Sequence, residues 1–237
     1  MFGLVNTAKA ATYTYTAAVG GDPSVKTNWS PVVPSFTVTS STYNISKSVT
    51  MGANWTVSGA GSKVVISGVG TIVSDGGFTF KSTGVTVTVN NGSALKLIKT
   101  TAADIGTLSA AGGSTVEYAT SSFQVVKNIT YSNLTISGTG AIQLISTSTV
   151  TKALTINAGC ALSLNSKLLN LNGTIAGTGS ITGDQFGASI VIGTSAANFG
   201  TIYFTSGSEY LEVFALANAN ANASTTVTLG SDLTIYD

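Results

Sequence analysis

The chain of 237 residues carries few charges and lacks two residue types on which many enzymes and nucleic-acid-binding proteins depend. Charged residues make up 8% of it, against about 25% in ordinary soluble domains. All ten basic residues are lysine, scattered from Lys9 to Lys167, and the sequence contains neither arginine nor histidine. A nucleic-acid surface needs a concentrated basic stripe and usually arginine, so we expect no nucleic-acid partner.

The sequence also has little that could support covalent or metal chemistry. Cys160 is its only cysteine, which rules out an intrachain disulfide. Glu209 and Glu212 are the only close pair of glutamates, and three residues apart on a strand they face opposite sides. Polysaccharide-cleaving enzymes need clustered carboxylates with basic partners, so we expect no catalytic site, metal or cofactor.

Long apolar runs are missing as well. None approaches the ~18 residues of a membrane span, so we expect no span. Polarity comes from hydroxyl groups instead, because serine and threonine together make up roughly 28% of the chain. The formal net charge is +1, which leaves little electrostatic repulsion between copies of the chain. This composition is compatible with self-association.

One phrase of the sequence recurs. Residues 87–97 read VTVNNGSALKL and residues 154–164 read LTINAGCALSL, with identical residues at six of the eleven positions. The same pattern begins at 64, 87, 108, 134, 154 and 173: an apolar–hydroxyl–apolar triplet, a small polar turn and a second triplet. Intervals of 19 to 26 residues between these starts are typical of a repeat architecture.

The period of two within each triplet predicts short strands with one buried face. About 20 residues accommodate three short strands and their bends, which is one coil of a parallel β-helix. We therefore predict an all-β fold, a single right-handed parallel β-helix (β-solenoid) of roughly ten coils over residues 11–237, with an opening segment at 11–50. A β-sandwich is the structural alternative.

The alignment of the phrases makes two finer predictions. Val87, Leu108, Leu134 and Leu154 should form one inward column, since they begin equivalent triplets. Lys96 and Glu117 should be lateral neighbours on the outside of consecutive coils.

Residues 154–183, LTINAGCALSLNSKLLNLNGTIAGTGSITG, resemble the passenger-type β-helix repeats of secreted bacterial surface proteins, particularly those of Bacteroidetes. The opening segment is similar to theirs in its element Asn28-Trp29-Ser30 and the following Pro34. This resemblance implies a secreted, extracellular or cell-surface protein. Ala8-Lys9-Ala10 fits a signal-peptidase site, so we interpret residues 1–10 as the remnant of a secretion signal; a short N-terminal strand is the alternative.

The two ends of the solenoid suggest a function. The opening strand offers Tyr13, Tyr15 and Val19, and the last coil keeps apolar residues almost to its end. These last-coil residues are Val227, Leu229, Leu233, Ile235 and Tyr236. Open strand edges invite pairing, and two different ends that fit each other propagate. We expect a non-enzymatic extracellular structural protein whose copies join head to tail into a surface filament or matrix fibre.

Other functions stay open. Trp29 and Trp55 could stack on surface glycans, as in an adhesin, or cover the end of the coil stack. The chain could also be a fragment of a longer passenger protein. Paired outward threonines such as Thr86 and Thr88 suggest ice binding, but the positions beside Thr135 and Thr155 are Asn133 and Ala153, so we expect no recurrence of the pairs.

Overall fold

The structure is a computed structural model that describes residues 10–193, 198–217 and 225–236. Residues 1–9 of the proposed signal remnant lie outside the described residues. The first strands are β1 (Thr12–Tyr15), β2 (Trp29–Ser30), β3 (Thr42–Ile45), β4 (Val49–Thr50), β5 (Trp55–Thr56), β6 (Lys63–Ile66), β7 (Ile72–Ser74), β8 (Phe80–Val89), β9 (Ala94–Leu97), β10 (Ile105–Ala110), β11 (Thr115–Tyr118) and β12 (Phe123–Val126). A 3₁₀ turn, Lys26–Asn28, precedes β2.

The later strands continue without a helix in the described part of the chain. They are β13 (Thr130–Ile136), β14 (Ala141–Leu144), β15 (Ser148–Ile156), β16 (Ala161–Ser163), β17 (Leu168–Leu171), β18 (Thr174–Ala176), β19 (Ser180–Thr182), β20 (Ser189–Ile192), β21 (Asn198–Ile202), β22 (Tyr210–Leu211), β23 (Val213–Leu216), β24 (Thr226–Leu229) and β25 (Thr234–Ile235).

Strands of successive coils pair in parallel, and the described part of the chain makes about nine coils. The only antiparallel pair among the described strands is β1 with β2. The predicted all-β parallel solenoid is therefore confirmed, and the β-sandwich alternative is excluded. Lys96 and Glu117 are paired in register, and Lys96 Nζ lies 2.7 Å from Glu117 Oε1, which confirms the predicted lateral contact.

Each coil visits three faces in a fixed order. Face I contains β1, β3, β6, the second half of β8, and β10. Face II contains β4, β7, β9, β11, the second halves of β13 and β15, and β18. Face III contains β5, the first half of β8, β12, β14, β16 and β19. In later coils the first halves of β13 and β15, then β17, β20 and β23, take the place of face I.

The core consists of inward columns of apolar side chains, one rung for each coil. Val64, Val87 and Leu108 form such a column on face I, and all three are buried. Face II carries a second column of Leu95, Val116, Leu134, Leu154 and Ile175. Fully burying a side chain of this kind contributes about 1.5–3 kcal/mol, so the columns supply most of the stabilisation along the rod.

The predicted single column of Val87, Leu108, Leu134 and Leu154 is wrong. Leu134 pairs with Val116, which belongs to the second triplet of the preceding phrase, and not with Leu108. The phrases at 64, 87 and 108 therefore span the corner from face I to face II. Those at 134, 154 and 173 span the corner from face II to face III. The two most similar phrases occupy different corners of the solenoid.

The interval of 26 residues between the phrases at 108 and 134 marks this change of corner. It equals one coil plus one side, because Val116 and Leu134, which stack directly, are only 18 residues apart (134 − 116). Both corners accept the same phrase because each needs a tight turn between two strands that are buried on one side.

The opening segment closes the N-terminal end of the coil stack. One edge of β1 pairs in parallel with β3, and its other edge pairs in antiparallel fashion with β2. Both edges of β1 are thus occupied within the chain. All three prolines of the sequence, Pro23, Pro31 and Pro34, lie in this segment and none lies in the stacked coils, where proline would remove a ladder hydrogen bond.

Candidate functional site

The N-terminal end is filled by a cluster of aromatic rings. Tyr13 stacks on Tyr43 with ring centroids 5.4 Å apart, and Trp55 stacks on Phe80 at 4.9 Å. Trp29 lies between them, with its ring centroid 5.9 Å from that of Trp55, and its Nε1 donates to Pro23 O at 2.9 Å. This cluster is the apolar plug of the first coils.

The structure places the candidate residues of this end inside the protein. Trp29 and Trp55 are each 1% exposed, so neither ring can stack on a sugar, and the glycan-stacking hypothesis is wrong for them. Tyr13 and Tyr15 are buried as well, because the pairing of β1 with β3 turns alternate side chains of β1 inward. Only Val19 is freely exposed, on the turn after β1. The expected docking strand is instead part of the cap.

The C-terminal end differs in character. β23, β24 and β25 form the last described rungs, and each has a described partner on one edge only, namely β20, β21 and β22. Several apolar side chains remain exposed there: Val213, Leu216, Leu229, Ile235 and Tyr236. Val227 and Leu233 pack partly buried against the core. Among the described residues, this end therefore combines open strand edges with apolar surface.

A small cavity of about 250 Å³ also lies at this end. It is lined by Phe204, Ser206, Glu209, Ser231 and Asp232. Glu212 lines a separate depression with Phe186 and Tyr236, as expected from the opposite directions of Glu209 and Glu212. The sequence did not predict that Glu209 and Asp232, which lie one coil apart, line the same cavity. No group of three or more potential metal ligands occurs among the described residues.

Two buried tyrosines bridge the core at the coil where the phrase changes corner. Tyr118 Oη and Tyr131 Oη are 2.9 Å apart, and Tyr131 Oη donates to Lys127 O. Burial raises the pKa of both hydroxyls, which keeps them neutral. Lys127 Nζ donates to Ala102 O and Ile105 O in the preceding coil, and desolvation lowers its pKa. This network connects the coil in which the phrase changes corner to the preceding coil, and it has a structural role.

An open groove of about 450 Å³ crosses three coils at the corner of faces II and III. Its lining residues are Gly77, Ile98, Lys99, Thr120, Ser121, Ser122 and Phe123. The Phe123 side chain is 56% exposed, and Phe78, next to Gly77, is 36% exposed. No carboxylate lines the groove, so Lys99 is its only charged group.

Hydroxyl pairs recur on face I, so the expectation that the Thr86 and Thr88 pair would not recur is wrong. That expectation compared the pair with Asn133 and Ala153, but Thr86 and Thr88 stack on other residues of face I. The outward rungs are Thr12/Thr14, Thr42/Asn44, Lys63/Val65, Thr86/Thr88 and Thr107/Ser109. Lys63 and Val65 interrupt the array in its middle. The face therefore lacks the unbroken threonine surface that ice binding would need.

Comparison with known proteins adds no relative: no family model, curated protein or solved structure matches the chain. Within the described ranges, the structure contains no helix with the length and hydrophobicity needed to span a membrane.

Proposed function

We propose that this β-solenoid is a non-enzymatic, extracellular structural rod that joins a second copy of itself through its C-terminal end. The observation that carries the proposal is the difference between the two ends. Among the described residues, one end is closed by β2 and the aromatic cluster, and the other presents the edges of β23, β24 and β25.

Open edges carry rows of unpaired N–H and C=O groups, and natural proteins usually blunt them with proline, charge or a covering segment. The described strands of this end, β23, β24 and β25, contain neither proline nor a charged residue, although Glu209, Glu212 and Asp232 lie beside them. Leu216 is 59% exposed and Ile235 is 51% exposed. Burying these side chains against another rod end removes apolar surface from water and completes backbone hydrogen bonds at the same time.

The cap changes the expected geometry of assembly. A head-to-tail filament would have to use the capped end as the receiving surface, where the outermost strand β2 is only two residues long and Pro31, which has no N–H, follows it directly. Contact between two C-terminal ends needs a single surface, used twice about a two-fold axis, and it closes as a dimer. We therefore favour a double-length rod over a filament.

Negative-stain electron microscopy and analytical ultracentrifugation of the purified chain test the proposal. We expect particles twice as long as a single rod, in a concentration-dependent equilibrium with monomers. Leu229→Lys with Ile235→Lys places two charges on the joining surface and should shift the protein to monomer. Val69→Lys is the matched control, because Val69 is 93% exposed on a corner away from both ends.

Three results would contradict the proposal. Persistent monomers at high concentration would show that a second copy of the chain does not bind to the C-terminal end. Filaments many rods long would restore head-to-tail assembly. Loss of dimers in Val69→Lys would place the contact on the side of the rod.

A further inference from the structure

The groove at the corner of faces II and III has the chemistry of a saccharide site, although Trp29 and Trp55 do not form one. It is lined by Gly77, Ile98, Lys99, Thr120, Ser121, Ser122 and Phe123, and it is called the side groove below. It lies on the wall of the rod, so it is independent of the proposed joining of ends.

The wall of the groove that carries Lys99 is held in place by Asp75 of the preceding coil. The carboxylate of Asp75 is 1% exposed and accepts backbone N–H groups from Ile98, Lys99 and Thr100 at 2.8–2.9 Å, one coil further along. Gly77 N donates to the same carboxylate at 3.2 Å. Asp75 therefore ties two of the three coils of the groove together, and its oxygens are engaged with the backbone.

The opposite wall is equally fixed. Thr120 Oγ1 accepts the N–H of Ser122 at 3.0 Å, which shapes the turn before Phe123. The next coil lies directly against this turn through Gly138 and Gly140, where a Cβ would collide with the backbone of Thr120 and Ser122. The groove is thus preorganised, and a ligand would have little loop ordering to overcome.

We propose that the side groove binds an acidic oligosaccharide, of the uronic-acid type. The exposed ring of Phe123 offers an apolar platform for the C–H face of a sugar ring. The hydroxyls of Ser121 and Ser122 are exposed beside it and suit the donors and acceptors of sugar hydroxyls. Lys99 supplies the one charge, positive and uncompensated by any lining carboxylate, which selects a carboxylate-bearing sugar over a neutral one.

Titration of the ¹⁵N-labelled full chain with tetragalacturonate tests this inference, with cellotetraose as the neutral probe. We expect amide shifts confined to residues 98–100 and 120–123 for the acidic probe and none for the neutral one. Phe123→Ala should weaken binding by about five- to tenfold, since losing an aromatic contact costs about 1–1.4 kcal/mol. Lys99→Gln should weaken it by about three- to fivefold, as an exposed ion pair allows, and added salt should act in the same direction.

Matched controls are available on the same rod. Phe186→Ala removes a ring that is 82% exposed, and Lys63→Gln removes an exposed lysine of face I; neither lines the groove, and neither should change the affinity. All four side chains project outward, so each variant should retain the circular dichroism spectrum of the unmodified chain. The inference is overturned if tetragalacturonate causes no shifts at the groove. It is also overturned if cellotetraose binds equally well or if Lys99→Gln leaves the affinity unchanged.

Discussion

At the scale of single residues, the buried carboxylate of Asp75 and a set of buried aromatic rings hold the coils in place, and the sequence did not reveal these roles. Asp75 reads as an ordinary turn residue before two glycines, and its four N–H donors become visible only once the coils are stacked. Trp29 and Trp55 lie where no recurring phrase defines an inward side. Whether they faced the core or the solvent could not be predicted from the alternation of their neighbours.

The first prediction concerns Asp75. Asp75→Ala leaves three N–H groups of the following coil without their acceptor in a buried setting, so the free energy of unfolding should fall by about 3–5 kcal/mol. Asp104→Ala is the control, because the Asp104 carboxylate accepts hydrogen bonds from Thr101 within its own turn and none from another coil among the described residues. Urea denaturation measures both. Equal losses for the two variants would show that the bonds between coils do not carry the effect.

The second prediction concerns Tyr43. Desolvation by burial, together with the nearby Tyr13, raises the pKa of Tyr43 to about 12, although the Ser41 side chain lowers it somewhat. The neutral phenol is therefore favoured in the folded state. Its contribution to stability is complete below pH 10, the ordinary value, and is lost as the pH rises from 10 through about 12.

Tyr43→Phe should accordingly be less stable at pH 8, because the hydrogen bond from Tyr43 Oη to Ser35 O is lost. Its stability should also fall less steeply than that of the unmodified chain between pH 10 and 12. Urea titrations at several pH values measure both slopes. Parallel slopes would show that folding does not raise the pKa of Tyr43.

At the scale of the strands and corners, the period-two triplets predicted the strands correctly, and the spacing predicted parallel stacking. The register failed at one place. The phrase contains a turn between two half-buried strands, and any corner of the solenoid accepts that pattern. The interval of 26 residues was the available signal, because it exceeds the other intervals by several residues and corresponds to one coil plus one side.

The third prediction concerns the corner glycines. Gly140 lies so close to the preceding coil that an added Cβ would meet the backbone oxygen and nitrogen of Ser122. Gly140→Ala should therefore force neighbouring coils apart and lower the free energy of unfolding by at least about 2 kcal/mol. Gly112 has open space around it and no positive φ, so Gly112→Ala should be neutral or stabilise by about 0.4–1 kcal/mol. Thermal unfolding of the two variants gives the comparison.

The opposite order of stability for Gly140→Ala and Gly112→Ala would contradict the described corner. Equal effects would mean that backbone entropy, and not the close approach of coils, decides the outcome at both sites.

At the scale of the whole molecule, the solenoid is quasi-one-dimensional, since each coil contacts only its neighbours. A coil in the middle is supported on both sides, whereas an end coil depends on its cap. The N-terminal end has one, built from β2 and the aromatic cluster, and the described part of the C-terminal end does not. Composition and repeats predicted the rod. They did not predict that its two ends differ, because the N-terminal cap depends on the pairing of β1 with β2, and these strands are separated by 14 residues without a recognisable hairpin pattern (29 − 15).

The last prediction follows from this asymmetry and is measured by amide hydrogen exchange. In dilute solution the amides of β24 and β25 should exchange faster than those of the central strands β13 and β15, because β24 and β25 are paired on one edge only and Leu229 and Ile235 remain exposed. The amides of β1 should exchange slowly, because both of its edges are paired and Tyr13 and Tyr15 are buried. Raising the protein concentration should then protect β24 and β25 while leaving β1 unchanged, because joining covers only the C-terminal end. Rapid exchange in β1 that slows with concentration would instead show that the opening strand is the joining surface.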